Sequence, residues 1–256
     1  MPSSRARGSR KGGPVCPPPA DRQAGRDNAV VAPQARVFLL SPANCGGTRA
    51  RQALSPKATF ALAEQLRSSQ GAMLGDVFAF VSGLYFRGKL TYALRFARPP
   101  ELDDPDGADA SVVGCGVHII TPNAGLRSPD TLVTHTAVVA FARGDIDAGN
   151  KNYRRPLEAG ARTLLAEIGP DCDVVLLGSV ASPKYVTVLT AIFGERLLFP
   201  IDFVGRGDMS RGGLMLRHAR DGVELAYVPV LGATLHGSRP PKLPPLAAGK
   251  AGWQDL

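Results

Sequence analysis

Cysteine is scarce: Cys16, Cys45, Cys115 and Cys172 are the only four in 256 residues, and they stand far apart with no C-x-x-C pair. That spacing excludes a zinc ribbon and a disulfide framework, and the four read as reduced, buried thiols. The histidines are as isolated. His118, His135, His218 and His236 form no H-x-x-x-H spacing, so neither a metal centre nor a cofactor is expected. No stretch approaches the ~20 uninterrupted apolar residues of a membrane helix, and the leader "MPSSRARGSRKGGPVCPPPA" lacks the apolar segment of a secretory signal. A soluble cytoplasmic protein with no membrane partner is the expectation. An organelle transit peptide is a minor alternative, because the leader is Arg- and Ser-containing and poor in acids, although its Pro and Gly oppose an amphipathic helix.

What is present allows a full core. Hydrophobic residues make up 44% of the chain, enough for one large domain with tails. The formal charge is +8, but residues 1–27 carry about half of the excess through Arg5, Arg7, Arg10, Lys11, Arg22 and Arg26 against Asp21 and Asp27. The folded part is only mildly basic, so net charge alone does not argue for nucleic acid.

Composition divides the chain into a disordered basic leader (1–35), a single domain (36–237) and a Pro-rich disordered tail (238–256) with little to bury. The tail's P-x-x-P spacing suits an aromatic groove on a protein partner. An acidic, turn-rich insert at 99–111 reads as a solvated loop. Three short apolar runs, "VFLLS" (37–41), "VHIIT" (117–121) and "DVVLLGS" (173–179), have helical patterns between them. They read as buried strands of a largely parallel central sheet flanked by helices, an α/β fold. Ser55-Pro56, Pro156 and Ser182-Pro183 are the helix-start signals. The segment 75–100 reads as helical in its second half. Near the end, "LMLRHA" and "VELAYVPV" around "RDG" predict a C-terminal β-hairpin.

Each of the three strands finishes in a hydroxyl and a turn: Ser41-Pro42 with Asn44, Thr121-Pro122 with Asn123, and Gly178 leading to Ser182-Pro183. Carboxyl ends of parallel strands form the crevice where ligands bind, and a following helix start offers unpaired amides. Ser182 as cap would aim such a terminus there, with Lys184 and Tyr185 beside it. The loop "FVGRGDMSRGGLMLR" (203–217) combines four glycines with Arg206 and Arg211, more backbone freedom and fixed charge than a hairpin lead-in needs. Its Arg206-Gly207-Asp208 tripeptide matches an adhesion motif by chance.

"LLSPANCGG", "GDVF" followed by "SGLYFRG", "ITPNAGLRSPDT", "LLGSVASPKYV" and "GRGDMSRG" occur over about two thirds of the chain. Their order and character resemble the motifs of the YaaA peroxide-stress protein family. The resemblance is carried by Ser41, Pro42, Ala43, the GDVF of 75–78, Ala181, Ser182, Tyr185, Arg206, Gly207, Met209, Ser210 and Arg211. It implies a cytoplasmic α/β protein that binds DNA through a basic cleft and limits oxidative damage, with a fold like nucleobase-handling enzymes. Three departures accompany it: no hairpin glycine pattern between 45 and 74 for the family's helix-hairpin-helix element, Pro183-Lys184 where the family has acidic residues, and strand signals after Arg211 where the family continues as helix.

Two functions follow as expectations. In the first, Arg206 and Arg211 grip phosphate or stack on a base, Tyr185 supplies an aromatic face, Ser210 joins them, and Ser41, Asn44, Thr121, Asn123, Ser182 and Lys184 line the hollow; the partner is DNA, RNA or a nucleobase-containing small molecule. In the second, an enzyme of nucleoside or base chemistry uses Asp76 or Asp130 as general base or to stabilise a sugar cation. Capping of a helix is the plainer role for both carboxylates.

Overall fold

The computed structural model describes residues 34–101, 111–181, 183–234 and 237–244. The leader expected at 1–35 lies almost wholly outside the described residues, as do most of the acidic insert, Ser182, His236 and the tail after 244.

Five strands supply the sheet's parallel heart and one edge: β1 (Arg36–Leu40), β3 (Val117–Thr121), β4 (Gly125–Arg127), β6 (Asp173–Leu177) and β7 (Leu197–Pro200). With β8 (Tyr227–Pro229) they form a six-stranded sheet ordered β4-β3-β1-β6-β7-β8. β1 runs parallel to both β3 and β6, and β6 parallel to β7. Only the two edges, β4 on β3 and β8 on β7, are antiparallel. A second, two-stranded sheet pairs β2 (Ala72–Met73) with β5 (Leu132–Val133). The apolar runs are continuous because both faces of the central strands are covered. Phe38, Leu40, Val175 and Leu177 face one core, while Val37, Leu39, Val174 and Leu176 face another.

Helices α1 (Thr48–Ala53), α2 (Ala61–Arg67), α3 (Leu74–Ser82), α4 (Leu84–Phe96), α5 (His135–Arg143) and α8 (Asp208–Asp221) contribute to the first core. α6 (Lys151–Glu167) and α7 (Pro183–Phe193) build the second. The segment 75–100 is thus helical in both halves, broken at Gly83. α6 starts before Pro156, because the Asn150 side chain caps it by accepting from the Asn152 amide at 3.0 Å; Pro156 then sits inside the helix. The C-terminal strand pair is β7 with β8, not a hairpin around "RDG". "LMLRHA" belongs to α8, and Gly222, at φ 68°, is its left-handed C-cap rather than a hairpin turn. Helix continues after Arg211, so the strands expected there do not form. Two short helices, α1 and α2, occupy the interval before the GDVF segment.

α4 and α8 touch backbone to backbone. A Cβ on Gly88 would sit 2.6 Å from the Gly212 carbonyl oxygen, and one on Gly212 would sit 2.8 Å from that of Leu84. No side chain fits between them. At the amino ends of the strands a charged network closes the sheet: Arg36 pairs with Asp173 at 2.9 Å and Glu224 at 2.6 Å, and Arg98 holds the second Glu224 oxygen at 2.8 Å. Residues 237–244 run as an extended strap beside α8. Arg217 donates to the Pro244 carbonyl and Leu243 packs on the core, while most of the strap stays exposed. Among the described residues no helix is long and apolar enough to cross a membrane.

Adjacent glycines of α8 should respond oppositely to the same change. Gly212→Ala is expected to destabilise by about 1–3 kcal/mol through overpacking. Gly213→Ala meets nothing nearer than Leu243 at 3.6 Å and should stabilise by roughly 0.5–1 kcal/mol through helix propensity. Urea unfolding of the two variants checks the contrast.

Candidate functional site

β1 has β3 on one side and β6 on the other, so the chain leaves it first in one direction and then in the opposite one. Such a switch point opens a crevice at the carboxyl ends of the strands. The protein has one there, with a volume of about 560 Å³, within the ~300–1,000 Å³ of small-molecule sites. Its floor is the loop leaving β1, Ser41 through Asn44, facing Ser179 after β6. Lys184 and Tyr185 come from the first turn of α7, Ser82 and Tyr85 from the junction of α3 and α4, Asp145 from the loop after α5, and Asp208 from the start of α8.

Close approach shapes the floor. A Cβ on Gly178 would lie 2.8 Å from Ser41 Cβ and 2.9 Å from the Tyr185 hydroxyl, so only glycine lets the ends of β1 and β6 and the start of α7 meet. The Tyr185 hydroxyl accepts from the Ser179 amide at 2.9 Å and donates to its carbonyl at 3.0 Å. That pair of hydrogen bonds pins the ring to the turn; burial pushes its hydroxyl pKa up, opposed in part by hydrogen bonding to Ser41 and to the Ser179 backbone. Tyr85 differs. Its hydroxyl is buried with no hydrogen-bond partner among the described residues, and burial drives its pKa well above the ordinary tyrosine range, with the nearby Arg211 guanidinium pulling the other way.

Beneath the floor lies Lys89, 1% exposed. Nζ donates to the Ser41 carbonyl oxygen at 2.6 Å and lies 2.9 Å from Ser41 Oγ. The rings of Tyr85 and Phe86 close it in, at 4.6 and 4.7 Å to their centroids. Burial lowers its pKa from the usual lysine value to about 7, resisted by the negative charge of Asp208.

The residues singled out in the sequence separate into groups. Ser41, Asn44, Lys184 and Tyr185 line the crevice. Arg211 stands behind its wall, 11% exposed, donating from Nε and Nη2 to the Phe203 carbonyl and pairing with Asp208 at 3.6 Å. Arg206 and Ser210 do not line the crevice: they belong to a second recess under the strap, with Arg217, Arg239 and Lys242. Arg206 is held by the carbonyls of Asp202 and Pro241 and by Ser210 Oγ. Thr121 and Asn123 are not part of the crevice either. Thr121 is fully buried and locks the β3–β4 turn, donating to the Gly125 carbonyl and accepting from the Ala124 amide, while Asn123 is exposed. The strand turns straight back into β4, which takes its end away from the hollow.

Asp76 and Asp130 are exposed, in the first turn of α3 and in the turn before β5, and neither lines the crevice. The carboxylates at the site are Asp208 and Asp145. Sequence reasoning missed them along with Tyr85 and Lys89. Asp208 lay inside the quoted loop; Lys89 was marked by its place on the apolar stripe Tyr85, Lys89, Tyr92, Phe96 of α4. Of the thiols, Cys45 and Cys172 are buried but Cys115 is exposed, and no group of three or more metal-ligating side chains gathers among the described residues. Comparison with protein-family models, with curated proteins and with solved structures yields no match.

The buried amine sets a pH dependence. Lys89 is neutral in the folded chain above about 7 but protonated in the unfolded chain up to ~10.4, so unfolding takes up a proton in between. Stability should therefore rise with pH from about 7 to about 8, below the range where buried Tyr and Cys titrate on unfolding. In Lys89→Met this positive slope should vanish, as read from denaturant midpoints.

Proposed function

We propose that the protein binds a nucleobase-containing ligand, with the base in the crevice between β1 and β6 and a phosphate in the recess under the strap. The observation that carries this reading is that consecutive residues at the start of α8 line both recesses: Asp208 lines the crevice, while Gly207 and Met209 line the recess under the strap. Their chemistry differs in the way the two halves of a nucleotide do. The strap recess has Arg206, Arg217, Arg239 and Lys242 and no acid among the described residues of its lining, which suits phosphate. The crevice sets Asp145 and Asp208 against Lys184, a balance that attracts no polyanion but offers acceptors and donors to a neutral base edge. Asn44, Ser41 and Asp208 read that edge, and the unpartnered Tyr85 hydroxyl gains a hydrogen bond when the hollow fills. A nucleotide or an unstacked base of single-stranded DNA or RNA meets the same description. Duplex binding through a hairpin element has no comparable support. A role in limiting oxidative damage in the cytoplasm, implied by the motif resemblance to the YaaA family, belongs to the same proposal.

A second reading is favoured by Asp208, a carboxylate on the crevice wall at a helix start: hydrolysis or transfer at the N-glycosidic bond, with Asp208 rather than Asp76 or Asp130 stabilising the sugar cation. Release of free base, abolished in Asp208→Asn, is the outcome that separates catalysis from binding.

Nucleotides are expected to raise the melting temperature of the full chain more than the matching nucleosides do. Arg206→Ala should remove that difference and reduce the salt slope of oligonucleotide binding by roughly one. No shift with any nucleobase, nucleoside, nucleotide or single-stranded oligonucleotide would overturn the proposal.

A further inference from the structure

We propose that Ser41 and Lys89 form a nucleophile and general-base pair for acyl transfer, hydrolysing a carboxylic ester or amide whose carbonyl enters the crevice. The inference goes beyond base binding and needs only the hollow itself.

Lys89 makes both of its hydrogen bonds to one residue, the carbonyl oxygen of Ser41 at 2.6 Å and Oγ at 2.9 Å. Among the described residues no carboxylate forms an ion pair with it. An isolated ammonium in such a place is costly, whereas the neutral amine fits: one N–H donates to the Ser41 carbonyl and the nitrogen lone pair accepts the Ser41 hydroxyl proton. A separation of 2.9 Å falls within the ~2.6–3.2 Å reach of a general base, and a lysine takes this role beside serine in known variants of the nucleophile–base pattern. The charged and titratable groups around the amine are Tyr85 on its own helix, Asp208 and Arg211 from α8, and Tyr185 from α7. Burial, resisted by the negative charge of Asp208, leaves the amine titrating near neutrality, at about 7, where a base serves best.

Ser41 lines the crevice and is 6% exposed, with the buried amine against its Oγ. Groups able to hold a developing oxyanion are at hand. The amides of Ala43 and Asn44, two and three residues further on, make no hydrogen bond to another described residue, and the Tyr85 hydroxyl has no hydrogen-bond partner among the described residues.

The step balances with no further reagent than water. Ser41 Oγ attacks the carbonyl carbon as Lys89 Nζ takes its proton, and the C=O π pair moves onto oxygen. Collapse of the tetrahedral oxyanion breaks the C–O or C–N bond, and the leaving alcohol or amine takes the proton from the Lys89 ammonium. Water then attacks the acyl ester on Ser41 by the same proton path, releasing the carboxylic acid and restoring both side chains.

The full chain incubated with a fluorophosphonate probe, and separately with p-nitrophenyl acetate, tests this. The expected result is one covalent adduct mapped to Ser41, a labelling rate that rises with pH through a midpoint near 7, loss of labelling in Ser41→Ala, and a fall of ~100-fold or more in Lys89→Met. Absence of a Ser41 adduct across about pH 6 to pH 9, an adduct elsewhere, or unchanged labelling in a folded Lys89→Met would each overturn the pair and leave Lys89 as a tether for the β1 loop. If Lys89→Met does not fold by circular dichroism, the pH profile decides, and labelling independent of pH overturns the proposal. No nucleobase is present in the assay, so a negative result leaves the binding proposal standing.

Discussion

The crossing of α4 and α8 at Gly88 and Gly212 is the constraint from which the crevice follows. With backbone against backbone at 2.6–2.9 Å from where a Cβ would be, the helices come closer than any side chain permits, and each turn toward the sheet is brought in with them. At and beside the contact, α4 presents Tyr85 and Lys89 under the loop that leaves β1. α8 presents Asp208 at its first residue, on the crevice wall. A wider crossing would separate the lysine from Ser41 and the aspartate from both, and the hollow would lose its floor and one of its walls.

The two ends of the sheet treat polar groups differently, and the difference locates the chemistry. At the amino end Arg36, Arg98, Asp173 and Glu224 pair in a half-buried network, although Arg36 Nε is buried with no hydrogen-bond partner among the described residues; Arg36 lies 4.6 Å over the Tyr227 ring, and Tyr92 and Tyr227 share a hydroxyl bond at 2.5 Å. The Glu224 carboxyl is held below its usual range by the two arginines, against the opposing effect of burial. Such closure is structural. At the carboxyl end the Tyr85 hydroxyl has no partner and Lys89 has no counter-ion among the described residues. Folding tolerates unsatisfied groups where function uses them.

His118 shows that a perturbed group need not mark a site. It lies on β3, 4% exposed, and burial holds its imidazole neutral with a pKa of about 4. Its Nε2 has no partner among the described residues, yet it stands on the α6 side of the sheet, away from the crevice, in a recess also lined by Arg127. The distinction between His118 and Lys89 rests on neighbours: a nucleophile within hydrogen-bond distance for one, none for the other.

The parallel strands were legible because their signal is local: continuous branched apolar runs require two covered faces. Ser41, Asn44, Lys184 and Tyr185 could be placed at a crevice because strand ends and helix starts are written in consecutive residues. The "RDG" segment misled because a glycine at positive φ serves a helix C-cap as well as a hairpin, and only the packing of α8 on α4 chooses between them. Asp208, Asp145, Tyr85 and Lys89 share no local pattern; helices far apart in sequence bring them together. The sequence by itself therefore determined the central parallel strands β1, β3 and β6 and which end of the sheet is open. Only the tertiary structure decided which charges face the opening, because a residue's partners in space are set by helix crossings that no short stretch encodes.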